Sequence, residues 1–191
     1  YRFPFDTFFL AGFTDCGLQN GVKLSYALDV GYNQLAWKLR QDERVVVMER
    51  TNFRYVTPAD LEGEMPNFAS IDVSFISLTL ILPVLKTLLV SGSDVAALIK
   101  PQFEAGKEQV GKKGIVRDSK VHLQVINKIL DFSLELGFDV QHLTYSPITG
   151  GDGNIEFLVH LHWSGTKETG ENQLTTSAEA VVNEAHEQLK K

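Results

Sequence analysis

Three residues have the types and placement to handle a proton: Asp72, Lys100 and Glu156. Asp72 ends the run Phe68 to Asp72 and Lys100 directly follows the apolar run Val95 to Ile99. Each run is short enough to be a buried strand. Pro101 holds Lys100 at the edge of low-dielectric surroundings, which perturb an amine. Glu156 lies near the start of an otherwise apolar strand, where an isolated carboxylate is costly unless paired. The bland reading of Glu156 is a buried ion pair with a lysine. The chemical reading sets Lys100 between Asp72 and Glu156, a carboxylate, ammonium and carboxylate cluster able to orient a hydroxyl nucleophile. In open α/β sheets ligands bind outside the carboxyl ends of the strands, which makes other strand-end residues candidates too. Asp29 either accepts two hydrogen bonds from a ribose diol or is an exposed turn residue before Gly31. Asn52 either reads an adenine edge through its amide or caps a loop. Gly12 and Phe13 stand in a turn where a ligand can come close to the backbone.

These residues need a scaffold that brings strand ends together. Leu24 to Asp29, Val45 to Met48 and Val95 to Ile99 read as buried parallel strands, with Phe68 to Asp72 a weaker fourth. Between them lie helical patterns. Thr14 or Asp15 can cap a helix reaching about Asn20, and Gln34 to Gln41 is short and amphipathic. Leu78 to Val90 is apolar at helical spacing, with Pro83 either in its first turn or kinking it. Asp118 to Leu136 carries a strong helical stripe ended by Gly137. Phe138 to Tyr145 and Ile155 to Trp163 are β-rich and joined by a loop too short for a crossover helix, so they pair antiparallel. The expected fold is α/β: a Rossmann-like, mostly parallel sheet closed by a C-terminal antiparallel hairpin, the layout of methyltransferases rather than dinucleotide dehydrogenases. It spans residues 1–163. Residues 164–191 read as a polar linker and a short amphipathic helix over Thr176 to Leu189, packing back or mediating contacts.

Composition bounds the function. The 191 residues, 43% hydrophobic with a net charge of −6, make an ordinary globular chain of one domain. The single Cys16 cannot form an internal disulfide, no Cys/His cluster has metal-ligand spacing, and a reducing cytoplasm fits. The strongly apolar stretch from Val73 to Leu85 is too short for a membrane span. The acidic balance argues against a protein that coats nucleic acid indiscriminately, yet residues 100–120 hold six cations against three carboxylates. That segment, with Gly106, Gly111 and Gly114, is either a solvated loop of mixed charge or a mobile loop offering Lys107, Lys112, Lys113 and Arg117 to phosphates.

Taken in order, Gly12-Phe13-Thr14-Asp15, Tyr26 to Gly31, Gln34 to Lys38, Ile71 to Leu78, Ile99 to Glu104 with Gly106, and Gly153 to Phe157 resemble the TlyA family. Its members are often labelled hemolysin A and are FtsJ-type ribosomal RNA 2′-O-methyltransferases that use S-adenosylmethionine. The likeness covers about residues 10 to 163. It implies catalysis by a Lys-Asp-Lys-Glu tetrad, whose last three members fall on Asp72, Lys100 and Glu156. It also implies cofactor contacts at Gly12, Phe13, Asp29, Asn52 and Asp72, and a ribosomal RNA or ribosomal subunit as partner. The tetrad's first lysine and the family's S4-type RNA-binding module lie upstream of residue 1. The cofactor loop departs from the family's Asp-x-Gly-x-Ser-x-Gly-Gly-Phe-Thr-Asp: here Gly12 alone matches and Asp6 is one residue out of register, through divergence or missing residues. The intact remaining motifs favour missing residues.

Other classes stay in view: a non-catalytic ribosome-binding relative, a hemolysin-type membrane-active protein, and a nicotinamide dehydrogenase, which would need the Gly-x-Gly-x-x-Gly absent here.

Overall fold

The computed structural model describes the backbone of residues 6–10 and residues 13–32, 35–150 and 153–189 in full. Gly12 and Gln34 lie outside the described residues. Seven strands form one sheet in the order β3-β2-β1-β4-β5-β7-β6: β1 Asp6–Leu10, β2 Leu24–Leu28, β3 Val45–Met48, β4 Phe68–Ile71, β5 Ser93–Ile99, β6 Asp139–Tyr145 and β7 Phe157–Trp163. The first five are parallel, and β7 runs antiparallel to both β5 and β6. Chain order reverses between β1 and β4, the place where an open sheet leaves a crevice at its carboxyl edge.

Along β5 and β7 alternate residues are buried, Val95, Ala97 and Ile99 facing Phe157, Val159 and Leu161 in one core. Helix α3, Leu78–Leu88, adds Leu78, Ile81, Leu82, Leu85 and Leu88, and α5, Ser119–Glu135, adds Val125, Ile126, Ile129 and Leu130. A smaller core under α1, Thr14–Gln19, gathers Leu18, Val22, Ala27, Leu35 and Val45.

Several elements differ in detail from expectation. Phe13, not Thr14 or Asp15, occupies the N-cap of α1 and supplies no side-chain bond, while the Thr14 hydroxyl is buried without a partner. Helix α2 is only Trp37–Arg40, and its last residue, Arg40, bonds the Leu35 carbonyl at 3.2 Å and Glu49, just past β3. Pro83 sits inside α3, whose start at Ser77 and Leu78 is fixed by a distant partner described below. Asp118 caps α5 through the Lys120 amide at 2.9 Å, and Gly137 takes the left-handed conformation just past it, φ 92°.

Residues 164–177 do not swing free. Gly170 donates to the Leu134 carbonyl at 2.8 Å and Gln173 to Val140 at 2.9 Å. Lys167 holds both Asp139 oxygens at 3.0 Å, and the Glu171 amide donates to Asp139 at 2.7 Å. Helix α6, Ala178–Leu189, then buries Val181, Val182 and Ala185 in the main core. Burial alone would raise the Asp139 pKa, but the Glu171 amide and Lys167 together outweigh it and hold the carboxyl below its ordinary value. A depressed carboxylate contributes stability that is present above the unfolded pKa, about 3.9, and lost as pH falls through the folded value. Acidification below about pH 4 therefore loosens residues 164–189, read as faster amide exchange in α6, and Asp139→Asn should abolish that pH dependence.

Candidate functional site

The carboxyl ends of β4 and β5 bring the central pair together. Lys100 Nζ lies 2.5 Å from Asp72 Oδ1 and donates to Ser74 Oγ at 3.4 Å. The lysine side chain is 13% exposed and the aspartate 31%, so the pair sits at the rim of the core rather than in bulk water. The pairing follows from register. The β4–β5 ladder matches Ile71 with Ala97, and the same offset carried past the strands sets Ser74 beside Lys100 and Asp72 two positions away on the same strand end, within reach of the long lysine side chain.

Glu156 arrives from the other side. The antiparallel β5–β7 ladder ends at Ile99 opposite Phe157, and one further step faces Lys100 with Glu156. The side chains nevertheless do not pair: no ion pair joins Lys100 to Glu156 among the described residues. Glu156, buried, takes Gln102 Nε2–H at 3.3 Å, and its carboxylate fills the space a side chain at Gly150 would need. The expected cluster is thus formed only on its Asp72 side, because the Glu156 carboxylate turns to Gln102 and Gly150 instead. Beside Glu156 the buried Gln102 Oε1 has no partner.

A cleft of about 510 Å³ opens next to the pair, lined by Asp29, Asn52 and Asp72 with Leu28, Phe53 and Ile81 among its apolar walls. Its size suits a nucleoside-sized ligand. Asp29 accepts from the Gly31 amide at 2.6 Å, which leaves carboxylate lone pairs for a diol. Asn52 is also a loop cap: its Oδ1 accepts from the Arg54 amide at 3.1 Å, which leaves the Nδ2 donor and a second Oδ1 lone pair for a ligand. Phe13 is not in this group. It lines a second cavity, of about 440 Å³, with Ser70, Ala96, Leu98 and Leu158, on the sheet face away from α3 and α5. Lys107, Lys112, Lys113 and Arg117 are all exposed on the segment between Pro101–Glu104, here α4, and α5.

Other residues enter that residue types alone did not single out. Phe75, in the loop after Asp72, has φ 63° and is 90% exposed, with its ring 4.8 Å from Phe103. A left-handed phenylalanine costs energy and persists where its surroundings over-determine it, as at ligand sites. Glu104 is buried and accepts from Ser77 Oγ at 2.6 Å and the Leu78 amide at 2.7 Å, with Lys128 at 3.8 Å. It caps α3 from 26 residues away and so ties the loop carrying Asp72 to the turn carrying Lys100. Burial raises the Glu104 pKa against the opposing pull of Ser77, Leu78 and Lys128. Its clue was its place in Lys100-Pro101-Gln102-Phe103-Glu104, a carboxylate one turn beyond a strand.

Comparison with known proteins adds to this geometry. Residues 10–163 match the family model described as FtsJ-like methyltransferase. YqxC of Bacillus subtilis is 68% identical over 179 residues, 94% of this chain and 64% of that protein. The Mycobacterium tuberculosis protein named 16S/23S rRNA (cytidine-2′-O)-methyltransferase TlyA is 38% identical over 173 residues, 91% of this chain and 64% of its own length. A solved structure from Streptococcus thermophilus, whose name includes the word hemolysin, superposes with a TM-score of 0.93 at 52% identity, covering 99% of this chain and 69% of that one. The chain thus spans less than two thirds of these two curated relatives. The sheet is that of the Rossmann-like methyltransferases. Among the described residues no helix is long and apolar enough to cross a membrane, and no group of His, Cys, Asp and Glu could hold a metal.

The raised Glu104 pKa means its contribution is fully present below the unfolded pKa and declines as pH rises through the folded one. Glu104→Ala leaves the Leu78 amide without its acceptor and should cost about 1–3 kcal/mol in denaturant unfolding. Glu104→Gln keeps that acceptor, should cost less, and should remove the pH dependence.

Proposed function

The chain belongs to the FtsJ-like methyltransferase family, and from that premise we propose that it transfers the methyl group of S-adenosylmethionine to a ribose 2′-hydroxyl of ribosomal RNA. The observation that carries the reading is the Asp72–Lys100 pair on the rim of a nucleoside-sized cleft whose far end holds Asp29 and Asn52. When bound, S-adenosylmethionine supplies a methyl group already activated on a sulfonium, so the protein's task is chiefly to place the nucleophile in line. Such positioning is worth up to about 7–11 kcal/mol in well-oriented systems.

Asp29 accepts the cofactor ribose hydroxyls, Asn52 Nδ2 donates to the adenine edge, and the apolar walls take the ring. Phe13 lines the second cavity rather than this cleft, so the cleft residues Asp29, Asn52 and Asp72 carry the cofactor assignment. Lys100, set by Asp72, orients the 2′-hydroxyl and relays its proton to solvent as the new O–C bond forms, while Glu156 receives the hydroxyl from the opposite side. The orphaned Gln102 Oε1 supplies a further acceptor there. Phe75 offers an exposed ring at the cleft mouth on which a base of an unpaired nucleotide stacks. Lys107, Lys112, Lys113 and Arg117 grip phosphates on the same side. TlyA of M. tuberculosis bears in its name the same chemistry at cytidine.

Lys100→Ala should abolish methyl transfer to ribosomal RNA while leaving folding and calorimetric S-adenosylmethionine binding nearly intact; an active variant sinks the assigned role. Replacing Lys112 and Lys113 together by Ala should weaken RNA binding and flatten its dependence on log salt by about 1–2. An unchanged slope would take these lysines off the RNA.

A further inference from the structure

Asn154 is 3% exposed and commits both ends of its amide to the main chain of another loop. Its Oδ1 accepts from the Val116 amide and its Nδ2 donates to the Gly114 carbonyl, each at 3.0 Å. Its own carbonyl accepts from the Gly150 amide at 2.9 Å. One residue therefore joins the turn after β6, the end of the basic segment, and the lead into β7 two residues before Glu156.

Both things it holds matter at the site. Lys113 and Gly114 are consecutive left-handed residues, φ 66° and 72°. A lysine in that conformation is strained and persists only where neighbours fix it. Asn154 fixes Gly114 and Val116, the Gly111 amide donates to the Ile115 carbonyl at 3.0 Å, and His122 bonds the Val116 carbonyl at 3.1 Å. Lys112 and Lys113 thereby keep one exposed placement. On its other side, Asn154 anchors Gly150, the wall against which the Glu156 carboxylate rests.

We propose that Asn154 is a positioning residue that locks the basic loop and Glu156 into one frame, so that a phosphate backbone gripped by Lys112 and Lys113 is delivered in register with the carboxylate. This rests on the methyl-transfer reading above. It requires one donor and one acceptor at the reach of a planar side chain in a buried space, which the amide supplies without a charge at any pH.

The test is Asn154→Asp in the full chain, compared with the parent at each pH. Ionised, the aspartate opposes the Gly114 carbonyl; protonated, it supplies the missing donor and retains an acceptor. At about pH 8 the variant should lose roughly tenfold or more in kcat/KM for ribosomal RNA, as the phosphate grip and Glu156 fall out of register. S-adenosylmethionine affinity stays within about twofold, since no cofactor contact changes. Amides of residues 105–117 exchange faster than in the parent, and both defects shrink as pH falls toward about 5, where a buried carboxyl regains its proton. Asn154→Ser, which buries no charge, should show the same losses without the recovery. Unchanged exchange in 105–117, or faster exchange with unchanged kcat/KM, overturns the proposal, as does an Asp variant whose loss is the same at every pH. If the parent itself transfers no methyl group, the functional reading fails, and exchange in 105–117 alone decides whether Asn154 is the clamp.

Discussion

Asp72 and Lys100 face each other across 2.5 Å at the carboxyl ends of two adjacent parallel strands, and much of the surrounding structure serves that contact. Opposite charges at the edge of a core attract strongly only if neither can drift into water. Here the drift is prevented by the β4–β5 ladder beneath and by Pro101 directly after the lysine. An ion pair so placed is a poor source of stability, since each charge gives up hydration to form it. Its value lies in placement: Asp72 lines the cleft together with Asp29 and Asn52, and the pair holds the Lys100 ammonium beside that carboxylate.

Two buried polar groups brace the loops around this pair, each by satisfying main-chain atoms far away in sequence. Glu104 caps α3 and joins the Asp72 loop to the Lys100 turn. Asn154 joins the basic segment to the lead into β7. Buried groups of this kind are costly unless fully bonded, so each accepts few geometries and transmits that restriction to the loop it holds. The charge of the whole chain, −6, therefore says little about its partner. What matters is where a few cations are fixed.

The sheet was legible because buried parallel strands read as nearly unbroken apolar runs, and Val45–Met48 emerged with its exact limits. The Asp72–Lys100 pair was legible because both residues stand at strand ends, which are chemically exposed places. The hidden features share one physical cause: they depend on partners remote in sequence. Nothing near Leu78 reveals that Glu104 caps it, so the role of Pro83 within α3 could not be resolved. Glu156 was expected to meet Lys100, and the strand register does oppose them, yet the side chain settles on Gln102 and Gly150. The polar stretch 164–177 resembled a linker because its anchors, Asp139 and Val140, lie in β6.

The most direct measurement is mass spectrometry of ribosomal RNA incubated with the protein and methyl-labelled S-adenosylmethionine, then digested with nucleases that stop at 2′-O-methyl ribose. The account predicts a labelled, nuclease-resistant dinucleotide carrying the methyl on a ribose oxygen. Label found on a base, or bound cofactor with no transfer to any ribosomal RNA, would contradict it.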